Sequence, residues 1–448
     1  MIVCSSVDAL DLSALIRAGD AVVCSQGLAE PVTLTRALVS QRKAIGPISL
    51  FIGPTYSDTF NTAHGDSIAF RSYCGTAGNA PLQAARVLDI VPAHYSDLPR
   101  LFERGIFPAD VVLLTLSEPD EHGRFNLGLV NDYVVDAARR ARVVIAEISD
   151  RMPRVYGAEL PADIRPHVVV RTSRDPMSLP RKELDDASEQ DRVIAQSVAS
   201  LIPDGATLEL GIGTLPDLVL QALHGHRDIG IHSGVLGDGV ADLMERGVIN
   251  NARKPNFRGI SVAGMLMGSR RLYDFAHGNS SVFLAAPGET HDIGVLRAIP
   301  HFIAINGAIE IDLTGQVNAE TVNGKYVGAV GGQVDFVRGA NGSPGGRSIM
   351  LLPATARNGA VSRIVPCLPG SVVTTPRSDV DIVVTEWGIA ELRGKSLSER
   401  AVALAAIAHP DFREPLERLA CETGPIHVTR AGTSIQRCLH DIEVREHP

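Results

Sequence analysis

IPDGATLELGIGTLPDLVLQAL, residues 202–223, sets the fold class. A turn containing Gly leads into an apolar strand, a glycine loop, a proline and an amphipathic helix. IRAGDAVVCSQGLAEPVTLTRAL, residues 16–38, follows the same plan, with Ala21, Pro31 and Leu38 aligning at one offset with Ala206, Pro216 and Leu223. A repeat of that length points to a duplicated α/β domain.

Outward from these two copies, short apolar runs at 110–114, 142–148, 167–170, 301–305, 348–352 and 381–385 read as buried strands. PLQAARVLD (81–89) and LSERAVALAAIA (397–408) read as helices. Strands alternating with helices build βαβ units, so the expected class is α/β: two similar domains, each an open, mostly parallel sheet flanked by helices. The polar segment 171–191 carries two prolines and mixed charge and reads as a linker, giving domains 1–180 and 181–448. Helical spacing resumes from Ala187 through Leu201. Ligands of open parallel sheets bind beyond the carboxyl ends of the strands, which directs attention to the loops after ATLELG and after HFIAI.

Bulk properties narrow the classes. The 448 residues suit two or three domains, and 45% hydrophobic with 21% charged residues is ordinary for a globular protein. A formal charge of −9 argues against nucleic acid as a partner. Six scattered cysteines without a CxxC pair read as reduced thiols, and no stretch has the length and apolarity of a signal or membrane segment. The expectation is a cytoplasmic protein with no membrane partner.

Three stretches carry chemistry. In GIGTLPDLVL, Gly211 and Gly213 stand between a strand and a helix, where main-chain N–H groups can face an oxyanion. Glu209 is an uncommon charge on the preceding apolar strand. In GIHSGVLGDG (230–239), His232, Ser233 and Gly234 close a strand, and Asp238 is a candidate N-cap for the next helix. GGQVDFVRGANGSPGGRSIM (331–350) reads as a glycine-rich loop. Asp120, Glu121 and His122 have no metal spacing and read as a capped turn, while Glu147 and Glu386 are expected in buried ion pairs, the latter near Arg393. No metal site is expected.

These stretches, with SEPDEHGRFNLGL (117–129), AEISDRMPRVYG (146–157) and the segment 385–416, resemble the acetyl-CoA hydrolase/4-hydroxybutyrate CoA-transferase family of the class I CoA-transferase superfamily. The resemblance implies CoA bound mainly by the second domain and an acyl or acceptor pocket where the domains meet. In that family the third residue of the His-Ser-Glu motif is a glutamate whose carboxylate carries the acyl group and then CoA; this chain has Gly234 there. Relatives usually have glutamine where this chain has Glu209. The resemblance therefore implies acyl-CoA:carboxylate CoA transfer, like that of a 4-hydroxybutyrate CoA-transferase. The missing nucleophile leaves open hydrolysis of an acyl-CoA thioester or carbon–carbon bond, or mere acyl-CoA binding.

Under hydrolysis Glu209 is the candidate general base, His232 an orienting donor and the 211–213 backbone an oxyanion hole. Under transfer Glu209 or Glu30 would have to replace the lost carboxylate. CoA contacts are expected from Gly211, Gly213, Gly331, Gly332, Gln333, Gly345, Gly346 and Arg347, with Lys325 a further cation and Tyr56 and Tyr73 near the acyl group. The implied ligands are acyl-CoA as substrate and a small carboxylate, without a tightly bound cofactor, in a homodimer or higher homo-oligomer. Gly234→Glu is expected to create or increase transferase activity.

Overall fold

The computed structural model describes residues 2–4, 6–181, 184–368 and 370–422. Its first sheet has eight strands in the order Ile2–Cys4, Val168–Thr172, Val143–Ser149, Val111–Ser117, Ala21–Cys24, Ile48–Phe51, Ile68–Ser72, Leu88–Ile90, all parallel. Strands Val111–Ser117 and Val143–Ser149 are buried along their whole length, the pattern of a parallel sheet covered on both faces.

The second sheet repeats this order. It runs Val282–Leu284, Ser261–Leu266, Gly230–Leu236, Thr207–Leu210, Phe302–Gly307, Arg347–Leu351, Ile382–Thr385 and Gly388–Glu391. Only the last strand, formed by a hairpin, is antiparallel. The two copies seen in sequence supply the equivalent central strands, Ala21–Cys24 and Thr207–Leu210. From each, the chain winds outward to one side and then crosses to the other. Each central strand is therefore a topological switch point, with a crevice beyond its carboxyl end. One hydrophobic cluster runs through both halves, from Val23 and Leu114 to Leu208, Ile305 and Val384.

Several sequence expectations change in physical detail. Residues 81–89 are not one helix: Ala80–Ala84 is helical, Arg86 turns at φ +58°, and strand Leu88–Ile90 follows. The glycine-rich stretch 331–350 is not a loop throughout, but helix Gln333–Gly342 followed by strand Arg347–Leu351. Its glycines permit close packing. A Cβ on Gly339 would lie 2.5 Å from Leu296 Cβ, so the helix rests directly on helix Ile293–Arg297. Gly339→Ala is expected to destabilise by about 1–3 kcal/mol through overpacking, measured as a lowered urea midpoint at unchanged slope.

Asp238 is the first residue of helix Asp238–Glu245 and not its N-cap, a position taken by Gly237. Its carboxylate accepts instead from the backbone N–H and hydroxyl of Ser269, at 2.8 and 2.6 Å. Glu147 is held by backbone N–H groups and Glu386 by one at Oε2, its buried Oε1 having no partner among the described residues, where ion pairs were expected. Glu147 accepts from the N–H groups of Thr33 and Leu34, capping helix Val32–Ile45 from another strand, and burial raises its pKa to about 7. Glu386 accepts from Ala354 N–H. Asp120 caps a turn by accepting from the N–H groups of His122 and Arg124. Cys4, Cys24, Cys74 and Cys367 are free thiols. Cys438 lies outside the described residues. Among these, no helix is long and apolar enough to cross a membrane.

Candidate active site

Strand Gly230–Leu236 flanks the second switch point, and alternation along it separates the roles of its residues. Ser233 points along the sheet: its hydroxyl donates to the Leu210 carbonyl at 2.9 Å and so ties the strand to Thr207–Leu210. His232 and Gly234 share the opposite orientation. His232 is 1% exposed, and its Nε2–H donates to the Glu289 carbonyl at 3.0 Å. Burial, then the nearby Lys254 charge, lowers its pKa to about 4, so it is neutral at physiological pH. His232 thus directs its donor at the short helix Pro287–Thr290.

That helix carries a residue the sequence reading missed. His291 is 4% exposed, and its ring lies between Tyr95 and Phe336, with centroids 4.6 Å from each. Its Nδ1 is 2.7 Å from the Thr290 hydroxyl. Its Nε2 has no hydrogen-bond partner among the described residues and faces two glycines. A Cβ placed on Gly234 would stand 3.1 Å from Nε2, and one on Gly332 would stand 2.7 Å away. The imidazole therefore fills the space into which a side chain at 234 would project. Desolvation, and then the neighbouring His232, pulls the His291 pKa down to about 3.

The first half of the chain closes this niche. Tyr95 N–H donates to Gly331 O at 2.9 Å, and the Ser96 hydroxyl donates to Asp335 at 2.8 Å. Gln26 donates to the Tyr95 hydroxyl at 2.6 Å and accepts from the Tyr73 hydroxyl at 2.7 Å, fixing the ring that lies against His291. Tyr73 is therefore a support behind Tyr95, while Tyr56 is 37% exposed. Asp132, buried near Gln26, is pushed up to about 7 by desolvation.

Glu209 lies on the central strand, 5% exposed, and accepts from Asn306 Nδ2 at 2.8 Å. Desolvation outweighs that hydrogen bond and raises its pKa to about 8, so at neutral pH it is mostly a carboxylic acid. Beyond it, the 211–213 loop is open: a Cβ on Gly211 would touch nothing within 4 Å, and Ile212 is exposed. Gly332 adjoins His291 at the seam, Gly331 O accepts from Tyr95 N–H, and Gln333 donates to Met350 Sδ. Gly345, Gly346 and Arg347 are not brought there. They begin strand Arg347–Leu351, whose far end is about 13 Å away. Cβ atoms on these glycines would strike His301 and the Ala340 carbonyl, and Arg347 pairs with Asp381 at 2.9 Å. Glu30 sits in the first half, accepting from Thr35 and Ser57 at 2.9 Å each. Lys325 is exposed on a two-residue hairpin strand. Among the described residues no group of His, Cys, Asp or Glu could hold a metal ion.

With this geometry in view, comparison with known proteins is decisive. Sequence models of the acetyl-CoA hydrolase/transferase N-terminal and C-terminal domains match residues 7–170 and 268–420. A 4-hydroxybutyrate coenzyme A transferase of Clostridium kluyveri is 39% identical over 398 residues, 88% of this chain and 92% of the relative. The chain belongs to the acetyl-CoA hydrolase/transferase family. RipA from Yersinia pestis superposes with a TM-score of 0.87 at 34% identity, covering 95% of this chain and 98% of RipA. A 4-hydroxybutyrate CoA-transferase from Porphyromonas gingivalis gives a TM-score of 0.77 at 35% identity, covering 93% and 96%. The protein is a CoA-transferase-family enzyme whose substrate is an acyl-CoA thioester.

Proposed function

We propose that the enzyme exchanges CoA between a short acyl-CoA and a small carboxylate. The observation that carries this reading is its likeness to a named CoA transferase over 92% of that protein's length. The niche at the seam between the halves supports it, because substrate groups there can meet residues of both. In this proposal residues 1–180 supply the acyl and acceptor side, and 181–448 the CoA side. The thioester carbonyl lies over Gly234 and Gly332, with main-chain N–H groups of the 211–213 loop available to the oxyanion.

A cavity of about 560 Å³ adjoins the seam and is lined by His94, Arg100, Arg104, Val334 and Arg338. Arg100 and Arg104 make no ion pair among the described residues. The cavity is our proposed seat for the CoA phosphates. Gly345, Gly346 and Arg347 have no place in it.

Hydrolysis is a second reading, favoured by Gly234 itself: the residue offers no carboxylate to hold CoA between donor and acceptor. Incubation with butyryl-CoA, with and without acetate, decides between them. Acetyl-CoA formed only with acetate is expected. Free CoA released equally in both arms assigns hydrolysis, and no turnover of butyryl-CoA or a wider acyl-CoA panel overturns both readings.

A further inference from the structure

We propose that His291 is the enzyme's nucleophile, taking the acyl group onto Nε2. The inference rests on the reading above that an acyl thioester lies over Gly234 and Gly332. A neutral imidazole is held there by contacts on three sides, with Nε2 making no hydrogen bond on the fourth, toward Gly234 and Gly332. Tyr95 and Phe336 fix the ring plane, and Thr290 takes up Nδ1. The Thr290 hydroxyl also reaches the Ala286 carbonyl at 3.4 Å. With its proton directed there, it accepts from Nδ1–H and leaves the Nε2 lone pair on the side of the two glycines. His232 anchors the supporting helix through the Glu289 carbonyl. Both flanking positions lack side chains, and the imidazole occupies the room they leave.

The chemistry balances without a further reagent. Nε2 attacks the acyl carbon, the C–S bond breaks, and CoA leaves as its thiolate, giving an acyl-imidazolium. A carboxylate oxygen of the acceptor then attacks the same carbon, the C–N bond breaks, and neutral His291 is regenerated beside a mixed anhydride. The thiolate attacks the acceptor carbonyl of that anhydride and releases the first acid as its carboxylate. Water in place of the acceptor cleaves the acyl-imidazolium to the free acid, so one intermediate serves either outcome. Phe336 and Tyr95 shield it from bulk solvent.

The test uses the full chain, butyryl-CoA and acetate. His291→Ala and His291→Gln are expected to lose at least about 100-fold in kcat while remaining folded at the assay temperature. Acid quenching of the wild type should leave butyryl on the peptide containing residue 291, and added imidazole should restore turnover to the alanine variant. Thr290→Val, which removes the Nδ1 partner, should lower kcat with little change in KM. Folded alanine and glutamine variants within about threefold of wild type overturn the assignment while leaving CoA transfer intact. Loss of turnover with neither imidazole rescue nor an acylated peptide also overturns it, reducing His291 to packing. An unfolded alanine variant passes the decision to the glutamine variant and the wild-type quench. A wild type inert toward every acyl-CoA overturns the underlying reading instead.

Discussion

Gly234→Glu alone is expected to carry no covalent CoA, whereas Gly234→Glu combined with His291→Ala is expected to hold CoA as a thioester on residue 234. The sequence by itself favours the single substitution, because only the carboxylate is missing from the His-Ser-Glu pattern. The structure adds an obstacle. A Cβ at 234 already stands 3.1 Å from His291 Nε2 and 3.5 Å from Phe336. The remaining atoms of a glutamate would have to enter the volume held by an imidazole fixed between two aromatic rings. The single variant is therefore expected to lose about 1–3 kcal/mol from overpacking.

Removing the imidazole opens that volume to the new carboxylate. Its attack on the acyl carbon expels CoA thiolate, and return of the thiolate to the mixed anhydride releases the acid and leaves CoA on the protein. Intact-protein mass spectrometry after incubation with butyryl-CoA should show CoA addition with loss of water in the double variant alone. A folded double variant without that adduct would place residue 234 outside the path of the thioester. An adduct on the single variant would show that the imidazole yields.

The parts of this enzyme legible in sequence are those whose signal is local. Strands such as 111–117 and 143–149 are buried on both faces, so they appear as unbroken apolar runs. The repeat places equivalent strands at both switch points because strand, loop and helix recur at fixed spacing. Residues 81–89 misled because one residue, Arg86, leaves the helical region. Helix Gln333–Gly342 was hidden because glycine is a poor helix former, and its purpose there is contact with Leu296 and Arg297. Gly345, Gly346 and Arg347 are near the seam residues in sequence but begin the strand whose other end lies closer to them. His291 is a lone histidine after a four-residue helix, without periodicity or motif. Only folding sets it against Gly234, Gly332 and a tyrosine about two hundred residues earlier in the chain.

Glu209→Gln is expected to leave stability at pH 4 nearly unchanged and to raise it at pH 9. Glu209 has a reference pKa of 4.5 and a folded value of about 8, raised by desolvation against the opposing Asn306 and Ile305 hydrogen bonds. Between those values the folded state binds a proton that the unfolded state has lost. Its contribution to stability is fully present below pH 4.5, declines as pH rises through the window, and is gone above about 8. Glutamine has the shape of the protonated acid, can accept from Asn306 Nδ2, and cannot ionise. The difference between variant and wild type should therefore grow from near zero at pH 4 to a few kcal/mol at pH 9. Glu147 and Asp132, both raised to about 7, tilt the two profiles together and cancel in the difference. Because Glu209 is protonated at neutral pH, it cannot supply the base for water there, and the variant should keep most of its turnover at pH 7. Thermal melts across pH 4–9 check the first expectation and butyryl-CoA turnover the second. Parallel melting curves would mean that Glu209 ionises freely in the folded protein, and a variant inert at pH 7 would restore it as the catalytic base.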